Sequence, residues 1–221
     1  MEALNCGPYT VNLFSEAGGR SVVYAVLDGE DAAEVWDLLE RPRPALAAVS
    51  GVDWNRELSP WRAPKAFRGG EEFGGGGPGF LSALTGRIVP LAEARLGFRP
   101  QSRAIAGYSL AGLFALWSVF NTDAFDRAAS VSGSLWFDGF LDYMEAGAPC
   151  GGLRHVYLSL GDREKNTRNP RMAVVEERTR RAGELLRAQG IPVTFEMNRG
   201  GHFENPPARI ARGIGALVRS V

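Results

Sequence analysis

The sequence predicts an α/β fold, a mostly parallel central sheet with helices on both faces and a ligand site beyond the carboxyl ends of its strands. Three observations predict it. Short apolar, β-branched runs alternate along the chain with segments of helical period. The centre, Ala104-Ile-Ala-Gly107-Tyr108-Ser109-Leu110-Ala111-Gly112-Leu113-Phe114-Ala115-Leu116-Trp117, reads as a buried strand, a sharp turn carrying one serine, and a helix apolar nearly all round. The length, 221 residues, suits one large domain, and residues 1–221 show no internal repeat or linker that would divide it.

The elements follow in order. Tyr9 to Phe14 and Ser21 to Leu27 are strand-like, and Glu16-Ala-Gly-Gly19 between them supplies a turn, so the chain is expected to open with a β-hairpin at the sheet edge. Asp31-Ala-Ala-Glu34 resembles a capping box before a short helix through Leu39, and Arg41-Pro-Arg-Pro44 ends it ahead of the strand Ala45 to Val49. From Gly51 to Gly79 periodicity fades into a glycine-rich run. No Gly-Lys-Ser/Thr follows and no strand leads in, which points to a mobile rim of an active site and away from a phosphate cradle. Phe80 to Leu96 has helical spacing with a kink expected at Pro90. Beyond the central serine come buried strands at Ala128 to Val131 and His155 to Leu160, an amphipathic helix from Val174 to Gln189, a last strand from Val193 to Met197, and a closing helix from Pro206 to Val221.

Charge and composition exclude several function classes. Lys plus Arg and Asp plus Glu both number 25, so no basic field exists to hold nucleic acid, and zero net charge removes one barrier to a homo-oligomer. No stretch stays apolar for the length of a membrane span, and the first residues lack a basic start and apolar run, so a cytoplasmic protein without membrane partners is expected. Cys6 and Cys150, the only cysteines, make no metal-ligand cluster. Free thiols in a reducing compartment are the favoured reading, one long-range disulfide the other.

The chemistry concentrates on Ser109. Small residues around it permit the tight strand-to-helix turn that lifts a serine hydroxyl above a sheet, although the usual G-x-S-x-G departs here to Ala111, with the second glycine at Gly112. A serine hydroxyl needs a general base in reach, itself oriented by a third group. Of two histidines, His155 opens a strand, whereas His202 lies in Gly200-Gly201-His202-Phe203-Glu204-Asn205 after the last strand, where a base belongs. The acid is expected between them in Gly161-Asp162-Arg163-Glu164. Glu164 is preferred; Asp162 begins the turn, where aspartates cap backbone amides, and is the alternative acid. Oxyanion donors are expected at the amide of Leu110 and, from the loop after Ala45 to Val49, at Val52. Trp54, Arg56 and Trp61 on the rim loop and Trp136 after the next strand are candidate substrate contacts, with Arg56 suited to an acidic or polyoxygenated acyl group.

Four stretches taken together, Asp53-Trp54-Asn55-Arg56-Glu57-Leu58-Ser59-Pro60-Trp61, Gly107-Tyr-Ser109-Leu-Ala-Gly112-Leu-Phe114, Ser130-Val-Ser132-Gly133-Ser134-Leu-Trp136 and Gly201-His202-Phe203-Glu204, resemble the putative-esterase family of α/β-hydrolases, which includes esterase D relatives and siderophore trilactone esterases. The resemblance spans nearly the whole chain. It implies the α/β-hydrolase fold and hydrolysis of a small-molecule carboxylic ester, with Ser109 as nucleophile, His202 as base and Glu164 or Asp162 as acid. Such chemistry requires no metal and no cofactor. No insertion between Trp136 and His155 is long enough for a lid, which leaves the substrate open among a siderophore lactone, an acetylated sugar and a small acyl ester. Acyl transfer from the same acyl-enzyme, or a non-catalytic binding domain on the same fold, are the rival readings.

Overall fold

The computed structural model describes residues 1–219; Ser220 and Val221, the end of the expected closing helix, lie outside the described residues. Eight strands form one sheet: β1 (Glu2–Cys6), β2 (Tyr9–Phe14), β3 (Ser21–Val26), β4 (Ala45–Ser50) and, after a small hairpin of β5 (Arg62–Ala63) and β6 (Phe73–Gly74), β7 (Ser102–Tyr108), β8 (Arg127–Val131), β9 (His155–Gly161) and β10 (Val193–Asn198). Their spatial order is β1-β2-β4-β3-β7-β8-β9-β10. The β1–β2 and β2–β4 pairs are antiparallel and all other neighbours in this sheet are parallel.

The expected hairpin between Tyr9–Phe14 and Ser21–Leu27 is not formed. β2 turns back on β1 through Gly7-Pro8, with Cys6 opposite Tyr9, and pairs with β4 on its other side, while β3 lies between β4 and β7 and is parallel to both. Burial explains the difference. Five successive residues of β3, Ser21 to Ala25, are buried, so both faces of the strand are covered, which an edge ribbon cannot provide.

Alternation along the strands sorts two cores. Val22, Tyr24, Ala45, Ala47, Val49, Ile105 and Leu158 face one side, which is covered by α3 (Gly77–Ala83), α4 (Val89–Glu93), α5 (Leu110–Ser118), α6 (Phe140–Ala146), the short α7 (Pro170–Ala173) and α8 (Val175–Ala188). Val23, Ala25, Ala48, Ala104, Ala106 and Ala129 face the other, under α1 (Gly29–Leu38) and α9 (Pro206–Val218). The many alanines on this second face let helices approach closely. A Cβ at Gly213 of α9 would stand 2.9 Å from the side chain of Val131 and 3.1 Å from that of Tyr157. The apolar-all-round segment 110–118 is buried at every position, as its composition requires.

Pro90 acts on the helix before it. α3 runs into a π-helical turn at Leu84–Ile88 that leads directly into α4, whose N1 or N2 position carries the proline. A proline has no N–H and its ring crowds the carbonyl four residues back, so the helix widens to pass it. The long segment 51–79 is equally specific. It holds α2 (Trp54–Glu57) and the β5–β6 hairpin, and its glycines serve backbone packing: a Cβ at Gly75, where φ is +71°, would lie 2.5 Å from the Arg62 nitrogen, and one at Gly77 2.8 Å from the Ser59 carbonyl oxygen. The Ser59 hydroxyl accepts from the Gly75 amide at 2.8 Å and ties the two stretches together. Cys6 and Cys150 are free thiols, and among the described residues no helix is long and apolar enough to cross a membrane.

Gly75→Ala is expected to destabilise the protein by about 1–3 kcal/mol through backbone strain and overpacking. Thermal unfolding should show this as a Tm lower by about 2–4 °C per kcal/mol; an unchanged Tm would show that the rim loop is not anchored by this close approach.

Candidate active site

The turn at Ser109 is built from small residues and a strained backbone. Ser109 has φ 57° and ψ −121°, and it is followed at once by Leu110, the first residue of α5. An added Cβ at Gly107 would lie 2.2 Å from the Ala111 carbonyl oxygen, and one at Gly112 would lie 3.0 Å from the Gly133 Cα. The departure from G-x-S-x-G is thereby explained. The positions that must lack a side chain are 107 and 112, and Ala111 is accommodated because its partner is Gly107. The Ser109 amide donates to the Val131 carbonyl at 3.1 Å, and its own carbonyl accepts from Gly112, Leu113 and Ser134. These bonds aim the hydroxyl away from the sheet.

Two further loops reach it. The imidazole of His202 places Nε2 3.0 Å from Ser109 Oγ and Nδ1 2.7 Å from Glu164 Oε2. A carboxylate accepts only, so Nδ1 carries the proton toward Glu164 and leaves Nε2 as acceptor for the serine hydroxyl. Glu164 is buried. Burial pushes its carboxyl up, but hydrogen bonds from His202, the Gly161 amide and Ser132 outweigh that and hold it below its ordinary value. Asp162 has a different position: its Oδ1 accepts the Gly200 amide at 2.8 Å and its own amide donates to Asn198, so it braces the histidine loop against the acid loop. The hydroxyl of Tyr108 donates to the His202 carbonyl and fixes the same loop from β7. His155 sits at the other end of the sheet, its Nε2 2.9 Å from Thr194 Oγ1, and burial lowers its pKa.

The three side chains open on a cavity of about 500 Å³. Leu110, Trp54 and Trp136 line it, together with Asn55, Phe67, Phe73, Ser132, Ser134, Arg163, Met172, Val175 and Phe203. Val52, Arg56 and Trp61 do not belong to this lining among the described residues. Val52 packs on the core. Arg56 pairs with Asp53 at 3.5 Å and Glu57 at 3.6 Å while its stem covers Gly74. Trp61 donates from Nε1 to the Asp138 carbonyl and packs on Phe137 and Tyr143. Trp54, Phe67 and Phe203 are 44%, 59% and 88% exposed, so the mouth carries aromatic surface that the protein itself does not cover. Phe67 and Phe203 had one legible signal, a large aromatic residue within a glycine-rich loop.

Comparison with known proteins bears on family and fold. Residues 7–206 match the family model described as Putative esterase. The uncharacterized protein YbbA of Bacillus subtilis (strain 168) is 27% identical over 188 residues, covering 80% of this chain and 75% of that one. The siderophore hydrolase EstA of Aspergillus nidulans superposes with a TM-score of 0.74 at 18% identity, over 96% of this chain and 90% of its own. An IroE-like serine hydrolase of Shewanella oneidensis does so with a TM-score of 0.77 at 16% identity, over 99% and 79%. At such identities the two solved structures share the fold.

Because the folded carboxyl of Glu164 lies below its ordinary value of 4.5, it contributes stability that is complete above that value and is lost as pH falls through the folded one. The Tm gap between the wild type and Glu164→Gln is therefore expected to be widest near neutral pH and to narrow toward about pH 3. A gap that stayed constant across that range would contradict the assignment.

Proposed function

The chain belongs to the Putative esterase family, and from that premise we propose that it is a serine hydrolase which cleaves carboxylic esters through an acyl-enzyme. The observation that carries the reading is the continuous hydrogen-bond line from Ser109 Oγ through His202 to Glu164, 3.0 and 2.7 Å, at the mouth of a largely apolar cavity. Ser109 Oγ attacks the acyl carbon and its proton passes to His202 Nε2. The oxyanion that forms is held by the Leu110 amide, which stands in the first turn of α5 where no intrahelical acceptor exists; Val52, outside the lining, gains no support as the second donor. Collapse breaks the bond to the alcohol, which leaves with the proton from Nε2. Water then attacks the acyl-enzyme, giving its proton to His202, and the acid departs as Ser109 recovers its hydrogen. Glu164 keeps the imidazole in the Nδ1–H tautomer and stabilises its cation.

The cavity also bears on substrate. Its wall of Trp54, Phe67, Phe73, Trp136, Met172 and Phe203 favours a bulky, largely apolar or aryl ester over an acetylated sugar. The names of the structural relatives, a siderophore hydrolase and an IroE-like serine hydrolase, fit an ester of that size. Arg56, held by two carboxylates outside the lining, gives no support to an acidic acyl group. Residues 1–221 serve as one catalytic domain in this reading, and the free thiols fit a reducing, cytoplasmic setting.

Hydrolysis of p-nitrophenyl acetate, butyrate and benzoate tests it. Ser109→Ala and His202→Ala are expected to lower kcat by about 10⁴-fold or more, Glu164→Gln by less, and Asp162→Asn least. Butyrate and benzoate should outrun acetate, and Phe203→Ala should raise KM for the larger esters. Full activity in Ser109→Ala would end the proposal.

A further inference from the structure

α9 drives one charged side chain into the interior. Arg209 is 3% exposed, and the reaction sequence above makes no use of it. Its Nη1 lies 3.2 Å from Glu164 Oε1, 3.2 Å from Ser132 Oγ and 3.5 Å from the Tyr108 hydroxyl, and its Nη2 donates to the Arg199 carbonyl at 3.0 Å. The side chains of both partners in the Glu164 pair are 4% exposed, so the ion pair is buried. Seen from the carboxylate, the oxygens are divided. Oε2 meets His202, while Oε1 takes the Gly161 amide at 2.6 Å and the guanidinium.

We propose that Arg209 is a positioning residue of this site, holding the Glu164 carboxylate turned so that Oε2 alone faces His202 Nδ1; the inference rests on the Ser109–His202–Glu164 reading. Its planar fork reaches Tyr108 on β7, Ser132 after β8, Glu164 after β9 and Arg199 after β10, so one side chain sets the spacing of four strand ends. A lysine presents a point charge and cannot reach them together. The cation also balances the carboxylate. Removing the cation leaves the buried carboxylate opposed by an imidazolium alone, a change that the pH profile of a variant reads. The other charged and titratable groups around the imidazole are Tyr108 beneath it, Arg163 in the cavity wall, Glu204 bound to Arg163 and to the Gly201 amide, and Asp162 on the Gly200 amide.

The experiment is p-nitrophenyl butyrate hydrolysis by the wild type, Arg209→Met, Arg209→Lys and Ser109→Ala across pH 5 to 9, with the Tm and the fluorophosphonate-titratable fraction of each. Arg209→Met is expected to lose about 10²-fold in kcat at little-changed KM, with the acid limb of kcat/KM moved up by about one pH unit. Arg209→Lys should keep the limb near its wild-type position and recover only part of kcat. A folded Arg209→Met with wild-type kcat and limb would overturn the proposal, as would a loss that merely tracks the folded fraction with the limb unmoved. Should Arg209→Met fail to fold, Arg209→Lys decides: reduced kcat at constant KM supports a positioning role, and wild-type kcat overturns it. Full activity in Ser109→Ala removes the underlying triad reading as well, and so separates that failure from failure of Arg209 alone.

Discussion

The backbone conformation of Ser109 is the constraint on which the rest of the site depends. A serine with positive φ costs about 1–3 kcal/mol and persists only where its surroundings over-determine it. Here they do. The Ser109 amide and carbonyl are both committed to the main chain of neighbouring segments, and the approach of Gly107 to Ala111 leaves no room for a relaxed turn. Ser134 enters through the same constraint, its amide on the Ser109 carbonyl and its hydroxyl 3.5 Å from the Ser109 hydroxyl. Strain at one residue thus sets where the oxygen stands relative to α5 and to the loop after β8.

From that fixed point the parallel strands act as a ruler. β9 and β10 end in register, Gly161 opposite Asn198, so the loops that follow leave the sheet side by side. They are then joined by hydrogen bonds: the Asp162 amide donates to the Asn198 carbonyl, the Arg163 amide to the Gly200 carbonyl, and the Gly200 amide to the Asp162 carboxylate. A Cβ at Gly161 would fall 2.2 Å from the Gly200 carbonyl oxygen, which shows how tightly the two loops are drawn together. The imidazole therefore has little freedom to pay for at the moment of proton transfer, the condition under which oriented groups assist a reaction most.

Much of this was legible in the residues, for physical reasons that differ by element. The parallel sheet could be read because strands covered on both faces are continuous apolar runs, and the serine turn because glycine at 107 and 112 has few other uses between a strand and a helix. The loops bearing Glu164 and His202 could be placed because each directly follows a strand. The opening hairpin was misread because turn chemistry at Glu16–Gly19 looks the same whether the chain returns to its neighbour or crosses to another place in the sheet; the true partners of β3, which are β4 and β7, lie far away in sequence. Tryptophan and arginine on the rim loop were equally undecidable, since Trp61 is settled by a carbonyl 77 positions away and Arg56 by its acidic neighbours. Arg209 carries a signal of its own in the sequence. It stands beside Ile210 on the buried face that continues through Gly213, Ile214 and Leu217, where a charge without a buried partner would not be tolerated.

The central claim, that Ser109 is an activated nucleophile, is tested most directly by mapping where a fluorophosphonate attaches. Mass spectrometry of the labelled, digested protein should find one adduct, on Ser109, formed in the wild type and absent in His202→Ala. No adduct, an adduct on Ser132 or Ser134 instead, or labelling of Ser109 that is indifferent to His202 would contradict the account.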